Sequence, residues 1–137
     1  MVILFDQFNL ADDIFEVIFA TKQQIIVAKL LMDQMKEKDN VMGKTEMSLF
    51  ATRLHDGELV VDMNEAPYKD KTVKLSYNKR QFYDRILTPM KGMGLIYYDI
   101  YKKHYIISDK FNKAMIKIGL MWLQELRRPP QFFKTHS

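Results

Sequence analysis

Apolar residues recur at helical spacing in five stretches of the chain and alternate with polar ones in two more. Residues 9–20 predict a short helix that Asn9 caps, with Leu10, Ile14, Val17 and Ile18 sharing a face. Thr21 opens a second helix through a capping box, because Gln24 stands three residues on and can reach back. Ile25, Ala28, Met32 and Met35 form its apolar stripe, with Ile26 and Leu30 beside it, and it ends near Asp39-Asn40. Thr45 is the cap expected for a third helix through Leu54, with Met47, Leu49 and Phe50 as core residues. His55-Asp56-Gly57 reads as a turn.

Leu59, Val61 and Met63 alternate, as do Val73, Leu75 and Tyr77, and the turn-like Asn64–Asp70 lies between them. This predicts a β-hairpin. Asn78 caps the next helix, with Gln81 completing the box and Phe82, Ile86, Met90 and Met93 on the inner face. Pro89 lacks a backbone N–H, so a kink or an early end is expected there. Gly94 closes the segment as a left-handed cap. Residues 95–100 and 105–107 then predict a second hairpin, with Tyr101-Lys-Lys-His104 as a basic tip. Ser108 caps the last helix, residues 108–128, on which Phe111, Met115, Ile118, Trp122 and Leu126 form one apolar row. Ile116, Leu120 and Leu123 form another, so one side is expected to complete the core and the other to meet a partner. Pro129-Pro130 stop it before a tail at 129–137.

The expected fold class is therefore α+β and helix-rich. Its 137 residues suit one domain, and a hydrophobic share of 47% with 28% charged residues is enough to build a core. With no cysteine, disulfides, thiolate metal sites and a cysteine nucleophile are excluded. The apolar start Met1–Phe5 is short, lacks a basic flank and stops at Asp6, so a secretory signal is not expected. No membrane association is expected either, and the expected location is the cytoplasm.

Charge is distributed unevenly. Residues 1–65 hold 6 Lys/Arg against 12 Asp/Glu, net −6, whereas residues 66–137 hold 15 against 5, net +10. Such asymmetry points to a polyanionic partner for the C-terminal half, although a solvated basic surface has the same signature.

Three segments carry a family resemblance: Asn78-Lys-Arg-Gln-Phe-Tyr-Asp-Arg-Ile86, Met90-Lys-Gly-Met-Gly-Leu-Ile96 and Tyr105-Ile-Ile-Ser-Asp-Lys-Phe111. In these the chain resembles the winged helix-turn-helix family, in particular small archaeal and archaeal-virus regulators. The likeness is good over residues 76–128 and loose over 21–54. It implies a winged-helix domain at 21–128 with a hairpin wing at 95–107, an extra N-terminal helix within 1–20 and a long C-terminal helix. It also implies a transcription regulator reading double-stranded DNA, at the nucleoid or in a host cytoplasm if viral, while a homodimer is expected from the doubly apolar last helix and from Ile14 to Ile18, which needs a cover. The resemblance places Lys79, Arg80, Tyr83 and Arg85 at the major groove, and Lys102, Lys103 and His104 at the backbone or the adjacent minor groove, with Lys91 a further DNA-binding residue. Ile116, Leu120 and Leu123 are the expected dimer interface.

One departure is plain. About two dozen residues separate Leu54 from Asn78, where a simple helix-turn-helix has a short turn. Either a hairpin is inserted at 57–77, or another helix precedes the recognition helix.

Other chemistries have little support. Gly43-Lys44-Thr45 lacks the glycine a phosphate-binding loop needs at position 38, which is lysine. His55, His104 and His136 have no metal-ligand spacing, and no carboxylate pair or nucleophile motif stands out. The methionines and Trp122 read as core or interface residues, and Tyr97, Tyr98, Tyr101 and Tyr105 as hairpin pairs rather than base-stacking platforms. No catalysis, cofactor, metal or small-molecule substrate is expected. The competing function is an oligomeric protein-interaction module on the same scaffold without DNA binding.

Overall fold

The computed structural model describes residues 6–63 and 71–131. The expected turn Asn64–Asp70, the first residues of the N-terminal extension and the end of the tail, with His136, lie outside them. The described chain is α+β and helix-rich. Helix α1 (Ile14–Ile18) precedes α2 (Lys22–Glu37), strand β1 (Val41–Gly43) and helix α3 (Lys44–His55). Strands β2 (Leu59–Met63) and β3 (Lys71–Leu75) lead into a continuous helix α4 over residues 79–93. Strands β4 (Ile96–Asp99) and β5 (His104–Ile107) and helix α5 (Lys110–Arg127) complete the order.

Local capping chemistry starts most helices. The Thr21 hydroxyl accepts from the Gln24 N–H at 3.2 Å, and the Gln24 side chain accepts from the Thr21 N–H at 3.4 Å, closing the box of α2. Asn78 Oδ1 accepts from the Gln81 N–H at 3.1 Å and opens α4. Three starts differ from expectation. Asp13, not Asn9, caps α1 by accepting from the Phe15 N–H at 2.9 Å, which leaves that helix five residues long. Gly43 rather than Thr45 is the cap of α3, with Glu46 Oε1 accepting from the Gly43 N–H at 3.4 Å. At α5, Asp109 holds the cap position while the Ser108 hydroxyl accepts from the Lys110 N–H at 3.1 Å.

The core forms where α2, α3 and α4 meet a three-stranded antiparallel sheet of order β1-β5-β4. Phe82, Ile86 and Met90 of α4 are fully enclosed against Leu31 and Met35 of α2 and Met47 and Leu54 of α3. Each such side chain contributes about 1.5–3 kcal/mol by leaving water. The buried stripe of α2 is rotated from the expected row: Val27 and Leu31 lie inside, and Ile25, Leu30 and Met32 pack at the margin. Leu49, expected in the core, is 57% exposed. Strand β1 went unread because three residues carry no periodicity. Positive φ at Asp39 and Asn40 turns the chain from α2 into it, and Val41 then pairs with Ile106. Among the described residues, strands β2 and β3 pair with each other alone, as a hairpin inserted between α3 and α4.

Helix α4 does not end at Pro89, nor does it begin anew there. It passes through a π-helical stretch, Phe82–Leu87, in which the Thr88 N–H donates to the Tyr83 carbonyl five residues back. The change of hydrogen-bond spacing directly before Pro89, which has no N–H to give, carries the helix on to Met93. Gly94 ends it with φ of 86°, as expected.

The last helix is the largest correction. From Asn112 to Arg127 every residue of α5 is exposed, so neither apolar row completes the core. The inner face of α4 is already covered without it, and α5 meets the body at its start, through half-buried Phe111 and the Lys110 ammonium over the Tyr97 ring. No described helix is long and apolar enough to cross a membrane.

Gly94 and Gly92 make opposite predictions. A Cβ on Gly94 would lie 2.8 Å from the Phe111 backbone nitrogen, whereas one on Gly92 would meet nothing within 4 Å. Gly94→Ala should lower the unfolding free energy by about 2 kcal/mol or more, from left-handed strain and that contact. Gly92→Ala should raise it by roughly 0.5–1 kcal/mol. Urea denaturation of the two variants checks both signs.

Candidate nucleic-acid interface

The inserted hairpin is closed at its base by the end of α3. A helix leaves its last carbonyls without partners inside the helix, and here the returning chain supplies them. The Leu54 carbonyl accepts from Gly57 N–H at 3.2 Å and from Tyr77 N–H at 3.1 Å. The Ser76 hydroxyl donates to the His55 carbonyl at 3.3 Å, and the Lys79 N–H donates to His55 Nδ1 at 3.0 Å. The Lys79 ammonium continues the seam, reaching Thr52 Oγ1 at 2.9 Å and Ser48 Oγ at 3.3 Å. Strands β2 and β3 thus form a hairpin between α3 and α4, and the bonds at its base join the end of α3 to the start of α4.

That seam decides which expected residues are available. Lys79 is half-buried and turned onto α3, so it does not share the outward stripe of α4. Tyr83 is also half-buried, edge-on to Phe82 at 5.5 Å between ring centroids. Arg80, Arg85 and Lys91 are exposed, and with Asp84 and Thr88 they make up the outward stripe. Arg80 Nε lies 3.7 Å from Asp84 Oδ2, both side chains being mostly in water. Such a pair contributes little to stability and leaves the guanidinium available. Lys91 Nζ stands 5.9 Å from the ring centroids of both Tyr98 and Tyr105, at the outer limit of a cation–π contact.

The second basic group lies at the tip between β4 and β5. Asp99 shapes it: Oδ1 accepts from the N–H groups of Tyr101 at 2.9 Å and Lys102 at 3.1 Å. Lys103 takes a left-handed φ of 53°, and its carbonyl accepts from the Lys44 N–H at 3.0 Å. Lys102 and Lys103 are exposed, while His104 is half-buried and paired with Gly43 across the sheet. The bond to Lys44 brings the first residue of α3 to this tip, a neighbour that sequence reasoning missed. The signal was Gly43 directly before a helix start. Thr88 was missed as well, although its spacing from Arg80 and Asp84 placed it on the same row.

The tyrosines divide between the two sides of the hairpin. Tyr98 and Tyr105 face each other across the strands with centroids 4.6 Å apart. Tyr97 and Tyr101 are exposed, and Lys110 Nζ sits 3.9 Å over the Tyr97 ring. Burial holds the Tyr105 hydroxyl above the ordinary tyrosine range, with Tyr83 and Tyr98 adding to it. The expected interface residues Ile116, Leu120 and Leu123 are all exposed on α5. Among the described residues no group of His, Asp or Glu gathers as a metal site would need. Comparison with known proteins returned no match to a family model, a curated protein or a solved structure.

The N–H of Lys102, and then that of Tyr101, holds the Asp99 carboxyl below the usual 3.8. A lowered folded value means that the tip gains stability above the unfolded value and loses it as pH falls through the folded one. The amides of Tyr101 and Lys102 should therefore hold their shifts at neutral pH and titrate together in acid, with a midpoint below 3.8. An NMR pH titration checks this, and Asp99→Asn should abolish the common step.

Proposed function

We propose that this chain is a winged helix-turn-helix protein that binds double-stranded DNA and regulates transcription. Helix α4 is the recognition helix and the β4–β5 hairpin is the wing. The observation that carries the reading is the outward stripe of α4, where Arg80, Arg85, Thr88 and Lys91 stand on a helix whose other side is locked into the core. A helix of this size fits the major groove, and exposed arginines there can make bidentate contacts to guanine. The order helix, strand, helix, inserted hairpin, helix, second hairpin, with the first strand paired to the second hairpin, supports the same reading.

Lys102 and Lys103 at the tip, with Lys44 beside them, are suited to phosphate oxygens. Neutralising phosphates releases counterions, which gives affinity without sequence preference.

Fluorescence anisotropy of a labelled duplex at several salt concentrations tests the proposal. Binding should weaken steeply with salt. Arg80→Ala and Arg85→Ala should each weaken it by about 1–3 kcal/mol if they read bases, with the melting temperature nearly unchanged. Lys102→Ala and Lys103→Ala should each reduce the salt slope by about 1. No binding at low salt, or parental affinity in both arginine variants, would reject the reading.

A further inference from the structure

We infer that α5 is the docking surface for a second copy of this chain, the two helices crossing antiparallel at Gly119. The inference is independent of DNA binding. Between Met115 and Leu126, eight large apolar side chains are exposed, Trp122 by 62% and Ile116 by 64%. Seven of them, all but Met121, lie on one arc and leave on the order of 700 Å² open, within the roughly 600–1,000 Å² that each partner brings to a stable interface. A contiguous apolar surface of that size on one helix marks a contact site, whereas the exposed Leu49 and Ile100 stand singly.

The placement of glycine identifies the occupant. At about 3.6 residues per turn, Met115, Ile118, Trp122 and Leu126 form one side of the apolar arc and Ile116, Leu120 and Leu123 the other. Gly119 lies between the two rows and at the midpoint of the helix. Glycine inside a helix is less stable than alanine. Among the described residues nothing requires it, since a Cβ there would meet no atom within 4 Å.

A flat centre on a wide apolar face is what close approach of another backbone uses. A two-fold interface presents the same patch from both sides, so the crossing point must lie at the centre of the patch. With the axis at Gly119, Met115 falls opposite Trp122 of the second copy and Ile116 opposite its Leu123. Ile118 and Leu120 each meet their own counterparts. Large side chains thus flank the crossing on both sides, and the Lys113 and Lys117 side of the helix remains in water. A lipid surface would make no use of a glycine at the centre of the face, where a bulky residue inserts better.

Sedimentation velocity of the full chain without DNA, across the micromolar range, provides the test. The parent should sediment as a dimer, at twice the chain mass of 16.3 kDa. Gly119→Leu should raise the dimer Kd at least tenfold while helicity by circular dichroism stays at or above that of the parent, because a lone exposed helix only gains from the change. The double variant Leu120→Glu, Trp122→Glu should be monomeric and folded. A monomeric parent, whether it binds anionic vesicles or nothing, would overturn the inference. So would a Gly119→Leu chain that dimerises as tightly as the parent.

Discussion

The end of α3 is the joint on which the rest of the arrangement depends. Its last carbonyls need donors, and the chain returning from the inserted hairpin brings them from Tyr77 and Ser76. His55 then takes the Lys79 N–H, and the hydroxyls of Ser48 and Thr52 take the Lys79 ammonium. These bonds set where α4 begins. The apolar packing of Phe82, Ile86 and Met90 can then fix how α4 turns and which residues it faces outward. A residue expected at the DNA is consequently a strut: Lys79 joins α3 to α4, and Arg80, next to it, carries the exposed charge.

A second constraint acts at the far end of α4. The helix must pass a proline and still hold its inner row against the core. The π-helical stretch absorbs the difference before Pro89, and Gly94 then stops the helix hard against the start of α5. From that junction the chain enters the hairpin, whose second strand also secures β1. The tip is held from inside by Asp99 and from outside by the Lys44 N–H. The basic residues of the tip and the first turn of α3 are thereby one surface, joined through backbone rather than side chains.

What the sequence made legible was local. The box of Thr21 and Gln24, the cap at Asn78, the left-handed Gly94 and the alternation of both hairpins depend on neighbours a few residues away. What it hid depends on distant partners. Strand β1 exists because β5 pairs with it, and neither Val41 nor Met42 announces that. Lys79 and Tyr83 differ from Arg80 and Arg85 only through what packs beside them. Helical spacing showed the apolar arc of α5 but not whether the core would cover it, and the core closes without it. Asn9 and Thr45 are good capping residues that lost to Asp13 and Gly43, where tertiary contacts fixed the helix starts.

We propose that α4 and the hairpin tip face DNA together, and titration of a duplex into isotope-labelled protein, followed amide by amide by NMR, is the sharpest check. Shifts should concentrate at Arg80, Asp84, Arg85, Thr88 and Lys91, and at Lys44, Lys102 and Lys103, with β2 and the buried face of α2 unmoved. Shifts centred on α2 or on the β2–β3 hairpin, with those residues silent, would contradict it.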